Sequence, residues 1–272
     1  MQLDMGKAWR DATMMIARNR EVMLIVAGVF FFLPSFAATL LMPDLQAQLS
    51  QNASPEQAQQ FLSDFYLNNA PVFIVMALVQ VIGFIALLAL LRDDSRPTLG
   101  QALKVGLVGL LPYIGVQLLT AFALALLILI VAAAWAGAGT AVGAVLFVAA
   151  MVAAAYVLVK LSLVTPVVAI EKVMNPLAVI RRSWTLTKGN SLRLFAYYLL
   201  LMAVFFVIMI IVGIVFGVLL AVLGTGTAYL VANGLLSGLL GAAATLVFAA
   251  VIAAVHRQLA GPSTSHLADT FE

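Results

Sequence analysis

The sequence predicts an all-α, polytopic membrane protein with about six transmembrane helices, and three observations lead there. Hydrophobic residues make up 64% of the 272-residue chain and charged residues only 9%, with a mean hydropathy of +1.14. A soluble domain carries about 25% charged residues, so this chain has too little charge to cover a surface facing water. The apolar residues gather into runs long enough to cross a bilayer, and the cations fall in alternate gaps between those runs.

A helix crosses the hydrocarbon core with about 20 apolar residues. Runs of that kind, free of Asp, Glu, Lys and Arg, extend over 22–42, 70–91, 110–134, 140–159, 194–222 and 229–255. Starting from an inside N-terminus, these spans place all 14 Lys and Arg on one side. Lys7, Arg10, Arg18 and Arg20 lie in the first tail, and Arg92, Arg96 and Lys104 in the first inner loop. Lys160, Lys172, Arg181, Arg182, Lys188 and Arg193 lie in or near the second inner loop, and Arg257 follows the last span. Segments 43–69, 135–139 and 223–228 hold none. Positive charge marks the cytoplasmic side, so both termini are expected there.

The first span competes with a signal peptide, because Ser35-Phe36-Ala37 has the small-residue pattern of a cleavage site. The long preceding segment carries Asp4, Asp11 and Glu21 as well as cations, which favours an uncleaved anchor. In the outer loop, Ser54-Pro55-Glu56-Gln57 reads as a helix start: a serine cap, a proline with preset φ and a capping-box glutamine. Phe61, Leu62 and Phe65 then share one face, as expected of a short helix lying on the outer membrane surface.

Amphipathic stretches precede the outward-going spans. Gly6-Lys7-Ala8-Trp9-Arg10 and Gly100-Gln101-Ala102-Leu103-Lys104 share the order Gly, polar, Ala, large apolar, cation, and Ile180-Arg181 keeps the last two steps. The expectation is short interfacial helices, each leading into a helical hairpin, in three parallel repeats over 1–95, 96–172 and 173–260. Together 1–260 form one integral membrane domain, followed by a disordered cytoplasmic tail, 261–272.

The most distinctive stretch runs from Thr165 to Asn190. Asn175 before Pro176 is a helix cap, and Gly189 or Asn190 supplies a left-handed stop. Ile180 and Trp184, with Val179 or Thr187, are expected on a membrane-facing side, while Arg181, Arg182 and Lys188 meet the phosphate layer. An anionic leaflet offers about 1 kcal/mol per cation. The Pro-apolar-acid turn from Pro166 to Glu171 and the Arg-Ser-Trp-x-Leu-Thr helix from Arg182 to Thr187 resemble the YciC-like bacterial inner-membrane proteins. Those in turn are similar to the membrane domain attached to some glycerophosphoryl diester phosphodiesterases. The resemblance is strongest over about 155–200. It implies a helical membrane bundle whose biochemical role is poorly defined, without the soluble catalytic domain.

The residues argue against catalysis on their own account. Metal-assisted phosphodiester hydrolysis needs several carboxylates and usually a histidine around the ion. This chain has two histidines, His256 and His266, and its 11 acids are dispersed at the membrane edges. His256-Arg257 is followed by Gln258, where the catalytic domain's motif would, by resemblance, have glycine. Zero cysteines exclude disulfides, thiolate metal sites and a cysteine nucleophile. No cofactor, metal or nucleic-acid partner is expected. Ion-coupled transport usually leaves an ionisable group in mid-membrane, and none lies within these runs. Lys160 comes nearest; it either snorkels to the inner interface or pairs with Glu171 or an anionic ligand. Gly139/Gly143, Gly213/Gly217 and Gly234/Gly238 are spaced for close helix packing inside the bundle.

The functional expectation is a non-catalytic membrane protein that organises lipids, anionic ones above all, or partner membrane proteins through its basic inner face. An uncoupled transporter or lipid-translocating protein is the alternative. The headgroup or ligand candidates are Arg181, Arg182, Trp184, Lys188, Lys160 and Glu171.

Overall fold

The computed structural model describes residues 2–41, 54–91, 97–222, 224 and 226–261. Arg92, Arg96 and the expected disordered tail beyond Gly261 lie outside the described residues. Among those described there is no strand, and six helical segments are long and apolar enough to cross a membrane. The protein is an all-α polytopic membrane protein.

The chain opens with α1 (Met5–Ala27), a π-helical turn (Gly28–Phe32) and α2 (Leu33–Leu41). The two distortions in this rod have sequence causes. Asn19 donates its side-chain amide to the Met15 carbonyl at 3.2 Å and takes a non-helical φ of −120°, a side chain competing with the helical ladder. Pro34 has no N–H for the Phe30 carbonyl, and the ladder just before it widens so that Leu33 bonds back to Gly28.

Next come α3 (Pro55–Asn68), α4 (Ala70–Leu90) and α5 (Leu99–Ala138). Ser54 caps α3 by accepting from the Gln57 amide, and Phe65 is buried while Phe61 and Leu62 are half-buried. Phe65 packs edge-on against Phe73 of α4, which folds α3 over the start of its neighbour. A reciprocal capping box between Thr98 and Gln101 starts α5. At 40 residues α5 is about 60 Å long, twice a hydrocarbon core, so it projects well beyond the bilayer.

The chain continues with α6 (Thr140–Leu161), α7 (Val164–Ala169), α8 (Pro176–Leu186), α9 (Ser191–Val222) and α10 (Thr227–Ala260). Pro166 cannot donate to Ser162, and the ladder breaks there, separating α7 from α6. Asn175 caps α8 by accepting from the amides of Leu177 and Ala178, with Pro176 at the first turn. Gly189, at φ +81°, takes the left-handed conformation that divides α8 from α9.

The expected interfacial helices therefore differ in form. Only α8 is a separate element in the helix order; the stretch around Trp9 meets its span at the Asn19 kink, and the stretch around Leu103 runs into its span without a left-handed glycine between.

Helix α10 runs antiparallel to α1 and α2. Gln258 exchanges bonds with the backbone of Asp4, while Gly238 and Gly234 meet Phe32 and Phe36 at the other end. A Cβ on Gly106 would lie 2.6 Å from the Ile82 carbonyl oxygen, so α4 and α5 touch backbone to backbone. Between helices in lipid, such packing replaces the hydrophobic effect as the driving force. Gly143 packs against Trp135, whereas a Cβ on Gly213 or Gly217 would meet nothing within 4 Å among the described residues, so no close helix packing is seen there for that pair.

The dense core lies at one end, where Ile85–Leu91, Leu163, Val164, Pro166–Ala169, Val179 and Ala249–His256 are buried. The far halves of α5, α6 and α9 expose mostly apolar side chains.

Candidate functional site

The packed end of the bundle gathers charges from four parts of the chain. The turn after α7 carries Glu171, held outside the helix by Lys172 at φ +57°. Nearly two turns into α8, Arg182 donates from Nε to Glu171 Oε2 at 2.7 Å and from Nη2 to Oε1 at 3.1 Å. From the end of α10, His256 Nε2 reaches the same Oε1 at 2.9 Å. Burial alone would raise the Glu171 carboxyl, but hydrogen bonds from His256 and Arg182, together with their charges, outweigh it and hold it at about 2. The carboxylate is ionised and can only accept, so His256 donates through Nε2.

A second ion pair sits beside the first. Arg257 bonds Asp11 at 2.9 Å, joining α10 to α1, and the Asp11 side chain is only 9% exposed. The N-terminal segment is tied down further: Leu3 donates its amide to the Asn190 side chain, and Arg193 donates to Gln2.

The candidate residues divide into two groups. Arg182 and Glu171 engage each other. Nε and Nη2 of Arg182 both point to that one carboxylate, while its side chain stays 41% exposed. Val179 and Thr187, expected toward the membrane, are fully buried; with Ser183 and Leu186 they form the face of α8 that packs on the bundle. Arg181, Trp184 and Lys188 are exposed on the opposite side.

Lys160 belongs to neither group. It does not pair with Glu171, which bonds Arg182 and His256 instead, and no described carboxylate bonds it. Only 3% of the residue is exposed. Its Nζ lies 5.4 Å from the Tyr156 ring centroid and 5.6 Å from that of Trp184, and these two rings meet edge to face. Such contacts contribute about 0.5–2 kcal/mol each, less than the several kcal/mol an ammonium loses on leaving water. Ser183 Oγ donates to the Lys160 carbonyl at 2.7 Å, fastening α8 to the end of α6.

Sequence reasoning missed His256, Asp11 and Arg257 as partners. The one available signal was His256-Arg257 standing at the end of an otherwise uncharged span. Comparison with family models, with curated proteins and with solved structures finds no match for this chain.

Proposed function

We propose that this protein is a non-catalytic, multi-pass inner-membrane protein of the YciC-like kind, organising anionic lipids or partner proteins through a basic cytoplasmic face. The observation that carries the reading is how the charges divide. Glu171 and Asp11 are consumed by inward ion pairs, while Lys172, Arg181 and Lys188 stay exposed around the same end. A surface around α8 that keeps its cations outward while Glu171 and Asp11 are tied up attracts phosphate headgroups, at about 1 kcal/mol per cation near an anionic leaflet. Trp184 beside these cations suits the headgroup level, where an amphipathic ring is at home. The positive-inside distribution of cations supports cytoplasmic termini.

The test is lipid enrichment. Wild type and the Lys172→Gln, Arg181→Gln, Lys188→Gln triple variant are extracted with their surrounding lipid in polymer-bounded discs, from membranes mixing phosphatidylglycerol and phosphatidylethanolamine. The wild type should retain more phosphatidylglycerol than the bulk membrane, and the variant should lose that excess. Equal enrichment in both would remove the basic face as its cause.

A further inference from the structure

We infer that Lys160 is the floor of a discrete phosphate-binding site at the α6–α8 seam, occupied by an anionic phospholipid. The inference rests on the basic-face reading and goes beyond it: a diffuse charge effect needs no buried ammonium, and this site does.

The argument starts from the missing counter-charge. Lys160 is 3% exposed, and no described carboxylate bonds it. Glu171, the partner the sequence offered, bonds Arg182 and His256 instead. A cation out of water without a carboxylate demands another anion, because ring faces offer only a partial replacement for hydration. The two rings that approach its Nζ are themselves open to the outside: Tyr156 is 48% and Trp184 39% exposed. On α8, Arg181 precedes Trp184 by three residues and so lies on the same helical face, also exposed. An anion arriving at the seam thus meets an ammonium beneath and a guanidinium beside it, with aromatic walls between.

A phosphate group fits this chemistry, having several oxygens for two separate donors. Its source is a lipid rather than free phosphate. The seam lies where a span ends, and its aromatic walls, with the exposed Val152 one turn before Tyr156 on the same face, suit acyl chains that inorganic phosphate lacks.

The test uses the delipidated full-length protein in mild detergent. Native mass spectrometry follows titration with phosphatidylglycerol or with phosphatidylcholine of the same acyl chains. Wild type should bind one phosphatidylglycerol more tightly than the rest. Lys160→Met and Lys160→Gln should each weaken that binding by about tenfold or more, as expected for loss of a charged hydrogen-bond partner, and Lys160→Arg should restore it. Millimolar inorganic phosphate should not displace the lipid. If Lys160→Met and Lys160→Gln both bind like wild type while Arg181→Gln/Lys188→Gln lowers affinity, the Lys160 site is overturned and the basic face stands. If wild type shows no preference for phosphatidylglycerol over phosphatidylcholine, both fall. Displacement by inorganic phosphate would overturn the lipid as occupant. Should one uncharged variant fail to fold, the other decides.

Discussion

His256 and Glu171 stand 85 residues apart in sequence, yet Nε2 of one lies 2.9 Å from Oε1 of the other. This bond, with the Arg182 fork on the same carboxylate, joins α8 and the end of α10 through a turn that is not itself a helix. Glu171 is the shared acceptor. Removing it leaves two donors facing nothing, whereas removing either donor leaves the carboxylate one partner.

Glu171→Gln keeps one acceptor oxygen but sets an NH2 group against a donor in place of the other, and should destabilise the protein by about 1–3 kcal/mol, the usual cost of orphaning a partly buried donor. In a double-mutant cycle, Glu171→Gln with Arg182→Gln should show a coupling of about 0.5–3 kcal/mol. Thermal unfolding in detergent measures both. Additive losses would mean that the two side chains do not sense each other.

The same carboxylate makes stability depend on pH. Its ordinary value of 4.5 is lowered to about 2 in the folded protein. The folded value is the lower one, so the stabilisation is complete above about 4.5 and is lost as pH falls toward about 2, some 3 kcal/mol at most. Between pH 7 and 5 this group should contribute no change. The difference in melting temperature between wild type and Glu171→Gln should shrink on acidification below about 4.5, and a constant gap would contradict the assignment.

Glycine contacts give a sharper structural test. Gly106→Ala forces α4 and α5 apart against the Ile82 carbonyl, a backbone atom that cannot rotate away, and should cost about 1–3 kcal/mol. Gly213→Ala and Gly217→Ala meet nothing and should be neutral or slightly stabilising, since alanine is the better helix former. Melting temperatures of the three variants decide it.

Topology is testable without background labelling, because the chain has no cysteine. Gln59→Cys, exposed on α3, should react with an impermeant maleimide in intact cells. Lys188→Cys should react only after permeabilisation. The reverse pattern would invert the protein in the membrane and place the basic face outside.

What the sequence determined by itself was everything governed by local chemistry. Runs of apolar residues set the six spans, because backbone groups in lipid must be bonded within the segment. Ser54, Asn175 and Gly189 marked helix ends because a cap or a left-handed φ depends on one or two residues. Even the exposure of Arg181, Trp184 and Lys188 followed from helical spacing. Pairing was another matter. Arg181 and Arg182 are adjacent and chemically alike, but a step of about 100° turns one outward and the other onto Glu171. Gly213/Gly217 and Gly234/Gly238 share one spacing, yet only α10 has α2 and the turn before it alongside to use it. Lys160 reads like any interfacial lysine until α8 folds Trp184 over it. In each case the deciding partner is remote in the chain, and only the packing of helices brings it within reach.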